Sequence, residues 1–110
     1  MAVDIVQLFN EHLPGALGRN ADDAKTINAK FQLIIDGAGE WFIDCTDAGP
    51  TCVAGTGEDP DVTMQVTAED FQALHENPQA AGMQLFFAGK LKVQGNQMLA
   101  MKLSKLFAYE

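Results

Sequence analysis

Phe86-Phe87-Ala88-Gly89-Lys90-Leu91-Lys92-Val93-Gln94-Gly95-Asn96-Gln97-Met98-Leu99-Ala100-Met101-Lys102-Leu103 reads as loop, short strand, turn and Met/Leu helix, with no catalytic side chain among its residues. Gly89 is placed to cap a helical run of about Gln79 to Ala88. Leu91 and Val93 share one face of the strand, Lys90, Lys92 and Gln94 the other, and Gly95-Asn96 turns the chain into the last helix. There Leu99, Leu103, Leu106 and Phe107 stand at i, i+4, i+7 and i+8, a wedge of about 100 degrees that suits a core stripe. Met98 and Met101 project to a different side, shared with Lys102 and Lys105, so this helix is apolar over more of its circumference than one packing surface requires. From Asn77 to Tyr109 there is no Asp or Glu, whereas Lys90, Lys92, Lys102 and Lys105 all lie there. Such a segment points to apolar binding rather than chemistry.

Upstream, the periodicity is that of strands. Phe31, Leu33 and Ile35 alternate with Gln32, Ile34 and Asp36; Asp36-Gly37-Ala38-Gly39 turns the chain; Trp41, Ile43 and Cys45 alternate with Phe42, Asp44 and Thr46. A third strand around Thr51 to Ala54 follows the Gly49-Pro50 turn and completes an antiparallel meander. After Gly57-Glu58-Asp59-Pro60-Asp61, Val62, Met64 and Val66 mark a fourth strand with one apolar face. Thr67-Ala68-Glu69-Asp70 then resembles a capping box, and Phe71 and Leu74 begin a helix that stops before Pro78. Near the start, Val6, Phe9, Leu13 and Leu17 suit an amphipathic helix ending around Leu13-Pro14-Gly15, with Leu17 in the following turn and a polar stretch from Arg19 to Lys25.

Composition narrows the function. A chain of 110 residues is one domain, residues 1–110, able to bury one core. Seven basic against fifteen acidic residues give a net charge of −8, which opposes phosphate neutralisation, so no nucleic acid is expected as a partner. The N-terminus lacks a basic region followed by an apolar run, and no stretch approaches the roughly 18 apolar residues of a membrane span; a cytoplasmic protein is the expectation. Cys45 and Cys52 are then expected to be reduced, buried and hydrophobic in role. The single serine, Ser104, lies on the polar side of the last helix, which rules out a serine triad. His12 and His75 both sit late in helical segments beside an acid, where a solvated role is the default. No Cys-x-x-Cys or His-x-x-x-His is present, and Asp59-Pro60-Asp61 lacks the later Gly and Glu of a calcium loop. No enzyme, metal or cofactor is expected.

The C-terminal signature carries a resemblance. Asn77-Pro78-Gln79 followed by Phe86 to Leu103 is similar, nearly residue for residue at its end, to the sterol carrier protein 2 lipid-transfer domain. Phe31 to Gly37, Trp41-Phe42-Ile43-Asp44, Pro60-Asp61-Val62-Thr63-Met64 and Glu69-Asp70-Phe71 fit it in order and spacing, so it covers roughly residue 26 to the end. The resemblance implies an α+β fold: a five-stranded, mostly antiparallel sheet covered on one face by helices, enclosing an apolar tunnel for lipid, with no catalysis. It implies a ligand such as a sterol, fatty acid, acyl-CoA or other hydrophobic molecule. Ala80-Ala81-Gly82-Met83-Gln84-Leu85 is a few residues longer than in the animal proteins, so the tunnel mouth differs and the substrate does not carry over. The C-terminal Phe107-Ala108-Tyr109-Glu110 lacks a peroxisomal Ser-Lys-Leu address, which favours a free-standing bacterial-type domain.

Phe71, Leu74, Met83, Phe86, Phe87, Met98, Leu99 and Met101 are the expected tunnel wall, since they lie on elements that should face one another and methionine repacks readily around different ligands. Ordinary core packing is the competing role for each, and the expected one for Leu103 and Leu106. The lysines either meet anionic membrane surfaces or ligand head groups, in transient contact, or are simply solvated. An alternative function is an accessory module that presents a lipid intermediate to a partner protein, as bacterial relatives in ubiquinone biosynthesis do. An enzyme using Cys45 or Cys52 with a histidine is a weaker third.

Overall fold

The computed structural model describes residues 4–46, 49–96, 98, 99 and 102, apart from the side chains of Pro78 and Gln79. A helical segment opens the chain, built from α1 (Ile5–Gln7), a π-helical stretch (Leu8–His12) and α2 (Leu13–Arg19), followed by α3 (Ala21–Lys25). Strands β1 (Lys30–Asp36), β2 (Gly39–Asp44), β3 (Thr51–Ala54) and β4 (Val62–Thr67) come next, then α4 (Ala68–Glu76), α5 (Pro78–Phe87) and β5 (Lys92–Gly95). The five strands form one sheet in the order β3-β2-β1-β4-β5, in which only β1 and β4 run parallel. This is the expected α+β architecture.

Register decides the two faces. Phe31 lies opposite Ile43 and Val62, Leu33 opposite Trp41 and Met64, Ile35 opposite Val66, and Ile43 opposite Cys52. Because side chains alternate along a strand, these residues share one face, and all are buried. The helices cover it: the N-terminal segment packs on β3, and α4 on β1 and β4. Burying such a continuous apolar face, at about 25 cal/mol per Å², is the main stabilising contribution.

The opposite face is crossed by the β3–β4 connection, which must pass over β2 and β1 to bring β4 beside β1. Gly57 lies so close over Phe42 that a Cβ there would clash with the ring carbons. Gln32 holds this strap: its Nε2 donates to the carbonyls of Trp41 (3.1 Å) and Gly55 (3.2 Å), and its Oε1 accepts from the Gly57 N–H at 3.0 Å. Phe42 and Gln32 are therefore buried on the face that alternation alone assigns to solvent. At the strap's end, Asp61 accepts from the Lys30 N–H at 2.8 Å, while its N–H donates to the Lys30 carbonyl at 2.9 Å.

The expected extent of the N-terminal helix is corrected. The N-terminal helix does not end at Leu13-Pro14-Gly15 but runs to Arg19. Proline inside a helix lacks an N–H and crowds the preceding turn; here a π-helical stretch precedes it, with the Leu13 N–H donating to the Leu8 carbonyl five residues back. In that register Phe9 would offer its carbonyl to Pro14, which has no proton to give, and Cys52 Sγ donates to it instead at 3.3 Å. The extra residue also rotates the apolar stripe: Ile5, Leu8, Phe9, Leu13, Ala16 and Leu17 are buried while Val6 is exposed. The polar stretch from Arg19 to Lys25 holds α3, which buries Ala24.

Candidate functional site

Helix α4 is fixed at its start by Thr67, whose side chain accepts from the Asp70 N–H at 3.1 Å. That cap sets the helix rotation so that Phe71 and Leu74, three residues apart, both face the sheet and are buried. Phe71 meets Phe9 with ring centroids 5.6 Å apart, and Phe9 stacks on Trp41 at 4.8 Å with the planes 18° apart. The indole N–H of Trp41 donates to Asn10 Oδ1 at 2.9 Å, which satisfies its polar end. A buried aromatic row thus ties the N-terminal segment, β2 and α4 together.

At Asn77-Pro78 the chain breaks and α5 begins, with Pro78 where no helical N–H is needed. None of the ten residues of α5 is charged. Leu85 faces the core, while Met83 (64 % exposed), Phe86 (40 %) and Phe87 (79 %) face outward. Phe86 and Phe87 meet edge to face at 6.0 Å. Beyond α5, Gly89 takes a positive φ of 75°, and the N–H groups of Lys90 and Leu91 both donate to the Leu85 carbonyl, at 2.9 and 3.1 Å. This folds Leu91 inward and leaves Lys90 exposed. After β5, the Asn96 side chain accepts from the Met98 N–H at 3.0 Å, starting the last helix. Met98 there is 77 % exposed, and Leu99 packs partly buried against the core.

The eight anticipated wall residues therefore divide. Phe71 and Leu74 belong to the core, with Leu99 against it, whereas Met83, Phe86, Phe87 and Met98 stand exposed. Met101 lies outside the described residues, as do Leu103, Leu106 and Phe107 of the expected core stripe. Phe9 and Trp41, which complete the aromatic row around Phe71, were not anticipated beside it; each carried an apolar-face signal, but their meeting depends on the π-helical turn and the sheet register.

The two thiols are poorly placed for chemistry. Burial pushes both thiols up to about 12, with Asp44 adding to the effect at Cys45 and Cys45 adding to it at Cys52. They are buried free thiols, protonated at neutral pH and so weak nucleophiles. The His75 imidazole is held below its ordinary value by burial, with His12 contributing repulsion and Glu76 opposing both. Among the described residues no three His, Cys, Asp or Glu side chains gather where they could hold a metal ion, and no helix is long and apolar enough to cross a membrane.

Comparison with known proteins finds this fold elsewhere. Hydroxysteroid dehydrogenase-like protein 2 of Homo sapiens is 38% identical over 77 residues, covering 69% of this chain but only 18% of the relative. The present chain thus spans under a fifth of that curated relative's length. Sterol carrier protein 2 from Yarrowia lipolytica, solved in its apo form, is 28% identical with a TM-score of 0.65 over 94% of this chain and 84% of that one. Palmitated SCP2L2 from Aedes aegypti, at 23% identity, shares the fold with a TM-score of 0.68 over 100% of this chain and 97% of that one. A family model described as the SCP-2 sterol transfer family matches residues 9–108. The chain belongs to the SCP-2 sterol transfer family, a family of lipid-binding and lipid-transfer domains.

Proposed function

We propose that this domain binds and carries a fatty-acyl amphiphile without acting on it chemically. Its acyl chain lies between α4, α5 and the start of the last helix, with Phe71, Leu74 and Leu99 as the inner wall and Met83, Phe86, Phe87 and Met98 around the rim. The observation that carries this reading is α5 itself: an uncharged helix that keeps Leu85 inward and holds Met83, Phe86 and Phe87 out of the core. Apolar side chains in that state gain from an acyl chain laid against them, at about 0.8 kcal/mol for each methylene taken out of water. Methionine, unbranched and flexible, repacks around chains of different length and kink better than stiffer side chains do. The palmitated Aedes aegypti protein of the same fold supports the choice of ligand class. Protonated, buried thiols support carriage over catalysis.

Native mass spectrometry of the purified protein, followed by solvent extraction, tests this directly. The expected result is a one-to-one complex with a fatty acid or acyl derivative, displaced by added palmitate. A protein that purifies empty and takes up neither a fluorescent fatty acid nor a fluorescent sterol would overturn it; uptake of sterol alone would replace the ligand class.

A further inference from the structure

Helix α5 presents one continuous outward face. Ala80, Met83, Gln84 and Phe87 are exposed along it at helical spacing, with Phe86 edge-on to Phe87. The two ends of this face differ in charge. At its start stands Glu76, the exposed last residue of α4, where the unpaired carbonyls of that helix add partial negative charge. At its far end the Lys90 N–H donates back to the Leu85 carbonyl at 2.9 Å, which holds the exposed Lys90 against the last turn of α5. Neither Glu76 nor Lys90 has an ion-pair partner among the described residues. Lys92 takes no part, because it stands in β5 opposite Gln65. Single exposed apolar residues are ordinary, but Met83, Phe86 and Phe87 together on an uncharged helix mark a contact surface.

We propose that the outer face of α5 docks on a second copy of this chain, the two α5 helices lying antiparallel about a two-fold axis beside Met83. Residues equally far from the axis on opposite sides then meet. Phe87 covers the partner's Ala80, the smallest side chain on the face, and Met83 meets the partner's Gln84. Lys90 reaches the partner's Glu76 and the negative end of the α4 that carries it. A two-fold contact is isologous, so each of these pairings occurs twice. The face is thus its own complement, with opposite charges at opposite ends of an apolar row. The carboxylates of α4 choose this occupant. Glu69, Asp70 and Glu76 all belong to the helix packed against α5, so an anionic partner brought to the face would be repelled, whereas a second copy meets the acid at the junction with α5 with its own lysine. A net charge of −8 on each copy opposes association at long range, but screening over about 8 Å confines that repulsion and leaves the local pairs. Three large apolar side chains a copy make a small contact, so the dimer is transient, forms as protein concentration rises and is not needed for folding. The inference goes beyond the carrier reading and requires no cargo.

Sedimentation equilibrium of the whole chain over a series of concentrations at physiological salt is the test. The expected result is a monomer–dimer equilibrium. K90E and E76K each place like charges together at both ends of the contact and should weaken association about tenfold. The charge swap E76K/K90E restores opposite charges and should return association to the level of the unmodified protein. M83E, beside the axis, should abolish association and leave the thermal midpoint of the dilute monomer where it was. A protein that is monomeric at every concentration overturns the proposal, as does association indifferent to K90E and E76K, or a charge swap no tighter than either single variant. A fall in the dilute thermal midpoint of M83E would assign the face to the chain's own packing and overturns it too. Unmodified protein that takes up fluorescent fatty acid but never associates keeps carriage and loses the dimer; protein that associates but takes up nothing does the reverse.

Discussion

Phe9 and Phe87 carry the same side chain on helices and have opposite surroundings. Phe9 lies between Trp41 and Phe71 with none of its surface exposed, whereas Phe87 keeps 79 % of its own. The N-terminal segment is charged on its outer side, with Asp4, Glu11 and Arg19, so its apolar residues have one place to go. Helix α5 has no charged side, and its apolar residues exceed what α4 and the sheet can cover. Stability is concentrated in the first region, and exposed apolar surface in the second.

The contrast can be broken at its stable end first. Phe9→Ala should cost about 3–5 kcal/mol, the usual range for emptying a buried aromatic site, read as a fall in the denaturant midpoint at constant slope; a loss under 1 kcal/mol would mean that the aromatic row does not hold the N-terminal segment to α4. Next comes Gln32→Leu, which leaves the Trp41 and Gly55 carbonyls and the Gly57 N–H without their amide partner. Each stranded group costs about 1–3 kcal/mol if it stays dry, so chemical denaturation should show a loss of about 1–3 kcal/mol if water reaches two of the three and one stays dry.

A smaller effect comes from pH. Folding holds the His75 imidazole below its ordinary value, so the unfolded chain binds this proton more readily. The associated stability is complete above about pH 6.5, the ordinary value, and declines as pH falls below it towards the folded value. Denaturation curves at pH 7.5 and 5.5 should show the decline in the parent protein and a flatter response in His75→Gln; equal slopes would remove the assignment. Phe87→Ala should give the smallest change, within about 0.5 kcal/mol. A larger thermal shift would mean that the exposed face contributes to folding after all.

How much of this was legible in the sequence depended on how local the signal was. Phe31, Leu33 and Ile35, like Val62, Met64 and Val66, announce strands because alternation is a property of neighbours, and Thr67 announces α4 because a cap lies three residues from its donor. Pro14 misled because the usual rule ends a helix there, while the π-helical turn that accommodates it depends on packing against β3 and on Cys52. Phe42 misled for a similar reason, since its cover comes from a strap fifteen residues later. For the site, an uncharged α5 was plain from Pro78 to Phe87, but an apolar helix with no polar face does not declare which side meets the core. Leu85 inward and Met83 outward is a result of tertiary docking, so the eight wall residues could be collected by element but not sorted by environment.

The strap pinned by Gln32 has a consequence for how the molecule exchanges its protons with water. The Gly57 amide lies in a connection without regular structure, where exchange is ordinarily fast, yet its N–H points at a buried side-chain oxygen. Its exchange then reports the lifting of the strap from the sheet, independently of the opening of α5 on the other face. Hydrogen exchange at Gly57 and at the Leu91 amide, which is held by the Leu85 carbonyl, would provide separate clocks for the two faces, and ligand binding at α5 should slow only the second.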